Sequence, residues 1–149
     1  MVSFNKSEII KASPNEVYSF LSNFENAPKR SIFWKAVKLV KREDNCSTYE
    51  TMEELEGRKL SSLTRVTNQP GQRTDAEIVD GDGKGSKLSS IIVSIPEGTK
   101  FTIQGEIVLP GFAQMLSGTA GKMLGGIVEA RIEPMIEKEL ELIKKALDH

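Results

Sequence analysis

The chain has 149 residues, a length that fits one domain, residues 1–149. Its 20 Lys and Arg against 21 Asp and Glu give a net charge of −1, which argues against nucleic-acid binding. With Cys46 as its one cysteine, the chain cannot form an intrachain disulfide, which favours a reducing, cytoplasmic compartment. The sequence has no apolar run that suits a signal peptide or a membrane helix. The one histidine, His149, is the last residue, which leaves no internal histidine for a Ser-His-Asp relay or a His-and-Cys zinc site, and we expect neither a metal nor a cofactor.

The N-terminal third predicts one strand and two short helices. Val2–Lys11 is rich in β-branched residues and predicts a strand. The segment Ser13–Glu16, "SPNE", offers a serine N-cap, a proline at the first helical position and a glutamate that completes a capping box. Apolar residues follow it at helical spacing, which predicts a short amphipathic helix: Val17, Phe20, Leu21 and Phe24. A second short helical piece is predicted over Glu25–Phe33.

The middle of the chain predicts six strands joined by short turns. "NQPGQ" has proline and glycine at the two central positions of a type II turn, and "REDN" and "PEG" predict further turns. Consecutive strands with such connections favour a strongly curved antiparallel meander. The predicted strands are Phe33–Lys41, Thr48–Leu55, Leu60–Thr67, Arg73–Val79, Leu88–Ile95 and Lys100–Leu109.

The last segment, Phe112–Leu147, predicts a long helix that Pro134 should kink or restart. A helical wheel at about 100° per residue places large apolar side chains on one face of its C-terminal half. The same face of its N-terminal half carries Gly118, Gly121 and Gly125. Either the backbone packs directly on the sheet there, or the glycines leave room for a cavity.

Two further patterns are candidate sites. The loop "DGDGKGSKLSSI", Asp80–Ile91, matches a calcium loop at three positions, but Lys84 and Ile91 stand where oxygen ligands are required, so a strand connection is the better interpretation. Arg65 and Arg73 flank the turn at Pro70 and could steer an anionic head group, although solvated strand ends are the default.

The run "I-x-A-S-P-x-x-V-x-x-x-L" from Ile10 to Leu21 and the order of elements resemble the START/Bet v 1-like superfamily, also called SRPBCC, and within it the polyketide cyclase/dehydrase and Coq10-like lipid-transport branch. The resemblance implies an α+β helix-grip fold. In this fold a curved seven-stranded antiparallel sheet wraps one long C-terminal helix, and two short helices close one end. Many members hold a hydrophobic ligand between sheet and helix, but the fold does not fix the function.

Three hypotheses follow. The first is a protein that binds or carries a lipid, quinone or polyketide-like molecule, and alternation along the strands predicts these pocket residues: Phe33, Leu60, Phe101, Ile103, Ile107, Leu116, Gly121, Leu124, Gly125 and Val128. The second is a cyclase or dehydratase, for which Glu53 and Tyr49 are the candidate catalytic residues. The third is a protein-interaction domain or homodimer. The absence of an internal histidine disfavours the enzyme.

Two glutamates could be buried acids. The pattern favours solvent exposure for Glu53, in a charged strand end, and a place past the sheet edge for Glu139, although the wheel sets Glu139 on the apolar face. If either side chain instead entered the cavity, the apolar surroundings would raise its pKa and suit it to acid or base chemistry.

Overall fold

The computed structural model describes the backbone of residues 2–55, 58–108 and 118–148, and the side chains of these residues except 55, 58 and 118–131. Seven strands and three α-helices are found in it, with a single 3₁₀ turn at Phe24–Asn26 before the second helix. The elements are β1 (Val2–Ile10), α1 (Pro14–Ser22), α2 (Ala27–Arg30), β2 (Trp34–Glu43), β3 (Cys46–Leu55), β4 (Arg58–Gln69), β5 (Arg73–Gly81), β6 (Lys87–Ile95), β7 (Gly98–Ile107) and α3 (Gly118–Leu147).

The strands form one antiparallel sheet in the order β1-β7-β6-β5-β4-β3-β2. Strands β2 to β7 are sequential neighbours, as the meander predicted, while β1 pairs with β7 from Val2 opposite Ile107 to Ile10 opposite Thr99. The inner face of the sheet carries the buried residues, and α3 lies along it next to β1. The helix-grip fold with its seven-stranded sheet is therefore confirmed.

Helix α1 begins as its sequence predicts. The Ser13 hydroxyl accepts a hydrogen bond from the Glu16 backbone N–H at 3.2 Å, and Pro14 takes the first helical position, where it removes no needed donor. Val17 and Leu21, four residues apart, are buried against the sheet. The second predicted helical piece, Glu25–Phe33, is shorter in the structure and ends at Arg30.

Helix α3 continues through Pro134 as one element, so of the two predicted effects the restart does not occur, and the kink stays a prediction. The part of the predicted helix before Gly118 lies outside the described residues. In the C-terminal half, one stripe is buried against the sheet: Ile132, Ile136, Leu140 and Ile143. Lys144 fixes the helix to the neighbouring edge strand, because its ammonium donates to the Ile9 carbonyl at 2.7 Å.

Two glycines show why this residue type is required. Gly71 has a φ of +72°, and the Gln72 N–H donates to the Gln69 carbonyl at 3.0 Å, so the predicted type II turn is confirmed. A Cβ at Gly105 would lie 2.0 Å from the Lys87 carbonyl oxygen, so β6 and β7 can approach each other only because no side chain is present.

Candidate functional site

A cavity of about 70 Å³ lies between the inner face of the sheet and α3. Strands β5, β6 and β7 supply its floor, the segment from Leu21 to Trp34 closes one side, and α3 covers it. Its wall is mostly apolar: Leu21, Phe24, Ile32, Phe33, Trp34, Ala76, Ile78, Leu88, Ile103, Ile107, Met135, Ile136 and Ile143. Such a wall with a few polar groups is the usual make-up of a small-molecule site.

The floor of the cavity carries hydroxyl groups. Thr74 and Ser90 stand directly opposite each other on β5 and β6, and both line the cavity. The Thr74 hydroxyl is buried and has no hydrogen-bond partner among the described residues. Ser86 also lines the cavity, but its hydroxyl accepts from the Val108 N–H at 2.8 Å and is already used by the fold. Thr74 is therefore a floor residue with hydrogen-bonding capacity to spare.

Two charged side chains face the cavity from its helical side. Arg30 is the last residue of α2, and one of its terminal nitrogens donates to the Leu21 carbonyl at 3.3 Å. Glu139 reaches across from α3, where its Oε2 accepts from the Ile32 backbone N–H at 2.9 Å. Burial lowers the pKa of the Arg30 guanidinium, and the Glu139 carboxylate acts against that shift. The two groups thus interact electrostatically inside a largely apolar space.

A second polar cluster lies on the inner face of β3 and β4. Glu53 has 0 % exposure, and one carboxylate oxygen accepts from the Thr51 hydroxyl at 2.5 Å, while Thr51 also lies 2.8 Å from the Thr64 hydroxyl. The other oxygen, Oε2, has no partner in the described part of the chain. Burial raises the pKa of Glu53, and nearby hydrogen-bonding groups, with Thr51 the strongest of them, offset this only in part. Glu53 is not among the residues that line the cavity.

The favoured interpretation of both glutamates is wrong. Glu53 was expected in solvent, but it stands opposite Trp34 and Leu60, and all three side chains are buried. Glu139 was expected past the sheet edge, but it is half-buried and lines the cavity. In each case the charged residue keeps the face that alternation or the wheel gave it. Only the assumption that a charge must reach water failed.

The predicted pocket residues fall into three groups. Phe33, Ile103 and Ile107 line the cavity. Leu60 and Phe101 are buried in the core but do not line it. Leu116 lies outside the described residues, as do the side chains of the predicted helix positions: Gly121, Leu124, Gly125 and Val128. Their contact with a ligand stays a prediction.

The remaining candidates have structural partners. Tyr49 is buried against Phe24, with ring centroids 5.0 Å apart, and does not line the cavity. Arg73 donates two hydrogen bonds to Asp75, at 2.9 and 2.7 Å, rather than standing free to steer an anion. Arg65 is exposed.

Sequence reasoning missed Arg30 altogether. It ends the motif "APKR", where a basic residue in the last turn of a helix has an ordinary electrostatic explanation. Its place in the cavity depends on how the short α2 packs beside β2 and under α3, which no local pattern reports.

Comparison with known families decides the relationship. The model of the family "Polyketide cyclase / dehydrase and lipid transport" matches residues 1–148. The chain belongs to this family. No curated protein matches the chain. The START-like fold expected from the Ile10–Leu21 motif agrees with the structural similarity to a solved START superfamily protein.

Solved structures share the fold at low sequence identity. The di-domain ARO/CYC StfQ from the steffimycin biosynthetic pathway has a TM-score of 0.77 at 13 % identity over 97 % of this chain, which spans about half (50 %) of StfQ. TTHA0849 from Thermus thermophilus has a TM-score of 0.69 at 18 % identity, with 97 % of both chains covered. A START superfamily protein from Mycobacterium smegmatis has a TM-score of 0.67 at 17 % identity, again with 97 % of both covered. Among the described residues, no helix is long and apolar enough to span a membrane.

Proposed function

We propose that the protein binds a hydrophobic small molecule of the lipid, quinone or polyketide-like kind in the cavity between the sheet and α3. The observation that carries the proposal is the wall of that cavity, in which apolar side chains from sheet and helix surround a few polar groups. The family description, which joins polyketide chemistry and lipid transport, agrees with it. The free thiol of Cys46 is in keeping with a reducing, cytoplasmic setting.

The cavity must widen to take such a ligand. Its volume of about 70 Å³ is below the roughly 300–1,000 Å³ typical of ligand pockets. Met135 and Phe33 both line it and are only half-buried. A methionine adapts its shape easily because its side chain is unbranched and has three rotatable bonds. We expect these two side chains to move when a ligand enters.

The first test is native mass spectrometry of freshly purified protein, followed by solvent extraction of bound material and by uptake from a panel of lipids and quinones. A discrete extra mass that is released on denaturation supports the proposal and gives the chemical class. A clean ligand-free mass with no uptake from the panel contradicts it.

A matched pair of variants shows whether uptake uses this cavity. Ala76 lines the cavity and is 8 % exposed, so Ala76→Leu should fill the space and abolish uptake. Ala36→Leu adds the same volume at an exposed position of β2 and should leave uptake unchanged. If Ala76→Leu folds and still takes up ligand as the unmodified protein does, the ligand binds elsewhere.

A cyclase or dehydratase reaction is the second candidate, and one observation favours it. Glu139 places a carboxylate in the cavity wall, where it could give or take a proton. The two hypotheses separate on Glu139→Gln and Glu53→Gln, with mass analysis of the extracted ligand over time as the measurement. A carrier should return the ligand unchanged with or without these substitutions, whereas an enzyme that depends on the carboxylate in the wall should lose turnover in Glu139→Gln.

A further inference from the structure

The helical side of the cavity presents an unused donor and an unused acceptor. The Arg30 guanidinium offers five N–H donors, but its Nε is buried and has no partner among the described residues. Its contacts are the Leu21 carbonyl and the ring of Phe20, whose centroid lies 5.5 Å from the guanidinium carbon. A buried guanidinium N–H without an acceptor is costly, so this donor has capacity for a ligand.

Glu139 supplies the acceptor. One of its carboxylate oxygens accepts from the Ile32 N–H, which leaves the other oxygen for water or for a ligand. Arg30 and Glu139 also form no ion pair with each other within 4 Å, even though both line the same cavity. A cationic donor and an anionic acceptor therefore line one cavity without forming an ion pair with each other.

The charge balance of the site excludes most head groups. A carboxylate or phosphate on Arg30 would be repelled by Glu139, and an ammonium on Glu139 would be repelled by Arg30. A purely apolar end would leave the buried Arg30 Nε without an acceptor. The other polar groups of the wall do not alter this balance, because Thr74, Ser86 and Ser90 are neutral and Lys87 is exposed.

We infer that the bound molecule carries a neutral hydroxyl group, as an alcohol or a phenol, that accepts a hydrogen bond from Arg30 and donates one to Glu139. The inference rests on the proposed function, since it assigns the ligand's polar end within the same cavity. A hydroxyl supplies both an acceptor and a donor on one atom, whereas an ether or a carboxylate only accepts and an ammonium only donates. The apolar remainder lies against the wall formed by residues such as Ile103 and Met135.

The test uses four six-carbon probes that differ in their polar end: 1-hexanol, methyl pentyl ether, hexanoate and hexylamine. Binding is followed by titration of backbone amide chemical shifts, with the Ile32 amide reporting the site because it donates to Glu139. Burial of a chain this short predicts dissociation constants from about a tenth of a millimolar upwards. We expect 1-hexanol to bind about tenfold tighter than the ether, which cannot donate to the carboxylate, and tighter than both ions.

Two variants change the charge of the site and should change the preferred ion. Glu139→Gln keeps an acceptor for the Ile32 N–H but leaves a net positive site, so hexanoate should become the best probe. Arg30→Gln leaves a net negative site, so hexylamine should become the best probe. Glu141→Gln and Lys29→Gln are the matched controls on the same two helices, since both residues are exposed, and they should keep the original ranking.

The outcomes separate the two proposals. If the hexyl probes bind with shifts at Ile32 but show no preference, or if hexanoate or hexylamine is the best probe for the unmodified protein, the hydroxyl inference is overturned and the ligand cavity stands. If no probe binds the unmodified protein or any folded variant, both the hydroxyl inference and the proposed function fail. The ranking of probes on the unmodified protein suffices for this decision even if a variant does not fold.

Discussion

Replacing Glu53 by glutamine should make the protein more stable at neutral pH. The Glu53 side chain is fully buried, and one of its oxygens has no partner among the described residues. Burial raises its pKa above the ordinary value of 4.5, because the ionised form loses its hydration there. Glutamine has nearly the same shape and keeps an acceptor for the Thr51 hydroxyl, but it carries no charge at any pH.

The size of the effect depends on pH, with a definite sign. Below the pKa of the unfolded chain, Glu53 is protonated in both states and the free energy of unfolding is not reduced. Between that value and the raised folded value, stability falls by about 1.4 kcal/mol per pH unit, and above the folded value the loss is complete. For a chain of this size, each pH unit in that window lowers the melting temperature by about 3 to 5 °C. The glutamine variant lacks this loss.

Urea unfolding from pH 4 to pH 8, followed by circular dichroism, measures the difference between the unmodified protein and Glu53→Gln. The difference should grow with pH and then level off. Glu50→Gln, at an exposed position of the same strand, is the matched control and should show no such growth. A difference for Glu53→Gln that is constant across this range, or equal to that of the control, would refute the reasoning that desolvation controls this carboxyl.

Three other substitutions test the core, the sheet and a surface ion pair. Phe101 has 0 % exposure, so Phe101→Ala should cost about 3–5 kcal/mol in urea unfolding, and a cost below about 1 kcal/mol would contradict its place in the core. Gly105→Ala forces a Cβ against the Lys87 carbonyl and should abolish the cooperative thermal transition, whereas an unchanged melting temperature would contradict the close approach of β6 and β7. Burial alone would raise the pKa of Asp75, but hydrogen bonds from Arg73 and Ser89 hold it below its ordinary value of 3.8. Asp75→Asn should therefore cost about 1 kcal/mol at pH 7, and this cost should shrink as the pH falls below 3.8, so a cost that does not shrink in acid would count against the ion pair.

Local patterns predicted the elements because each depends on neighbours in sequence. The N-cap of α1 and the turn at Gly71 both need only a few adjacent residues, and both are found as predicted. Alternation likewise assigned Ile103 and Ile107 to the pocket, and both line the cavity. The resemblance of the Ile10–Leu21 motif then supplied the arrangement of these elements in space.

The polar chemistry of the site could not be predicted in the same way. Arg30 and Glu139 are more than a hundred positions apart, and they face one cavity only because α2 and α3 pack on the same end of the sheet. The burial of Glu53 depends on its place opposite Trp34 on one neighbour and Leu60 on the other. Charge alone suggests that all three side chains are exposed. Their actual positions depend on tertiary packing and on strand pairing, which the local sequence does not report.

The pairing of β1 with β7 has a consequence for biosynthesis. During translation, Val2–Ile10 emerges before the rest of the sheet and stays without its neighbour until about a hundred further residues have been made. Such distant pairings slow folding, since the intervening loop must close before the contact stabilises the chain. The helix that covers the inner face is made later still. Until then the apolar inner face of the sheet lacks its helical cover, so it stays accessible to chaperones and to other nascent chains.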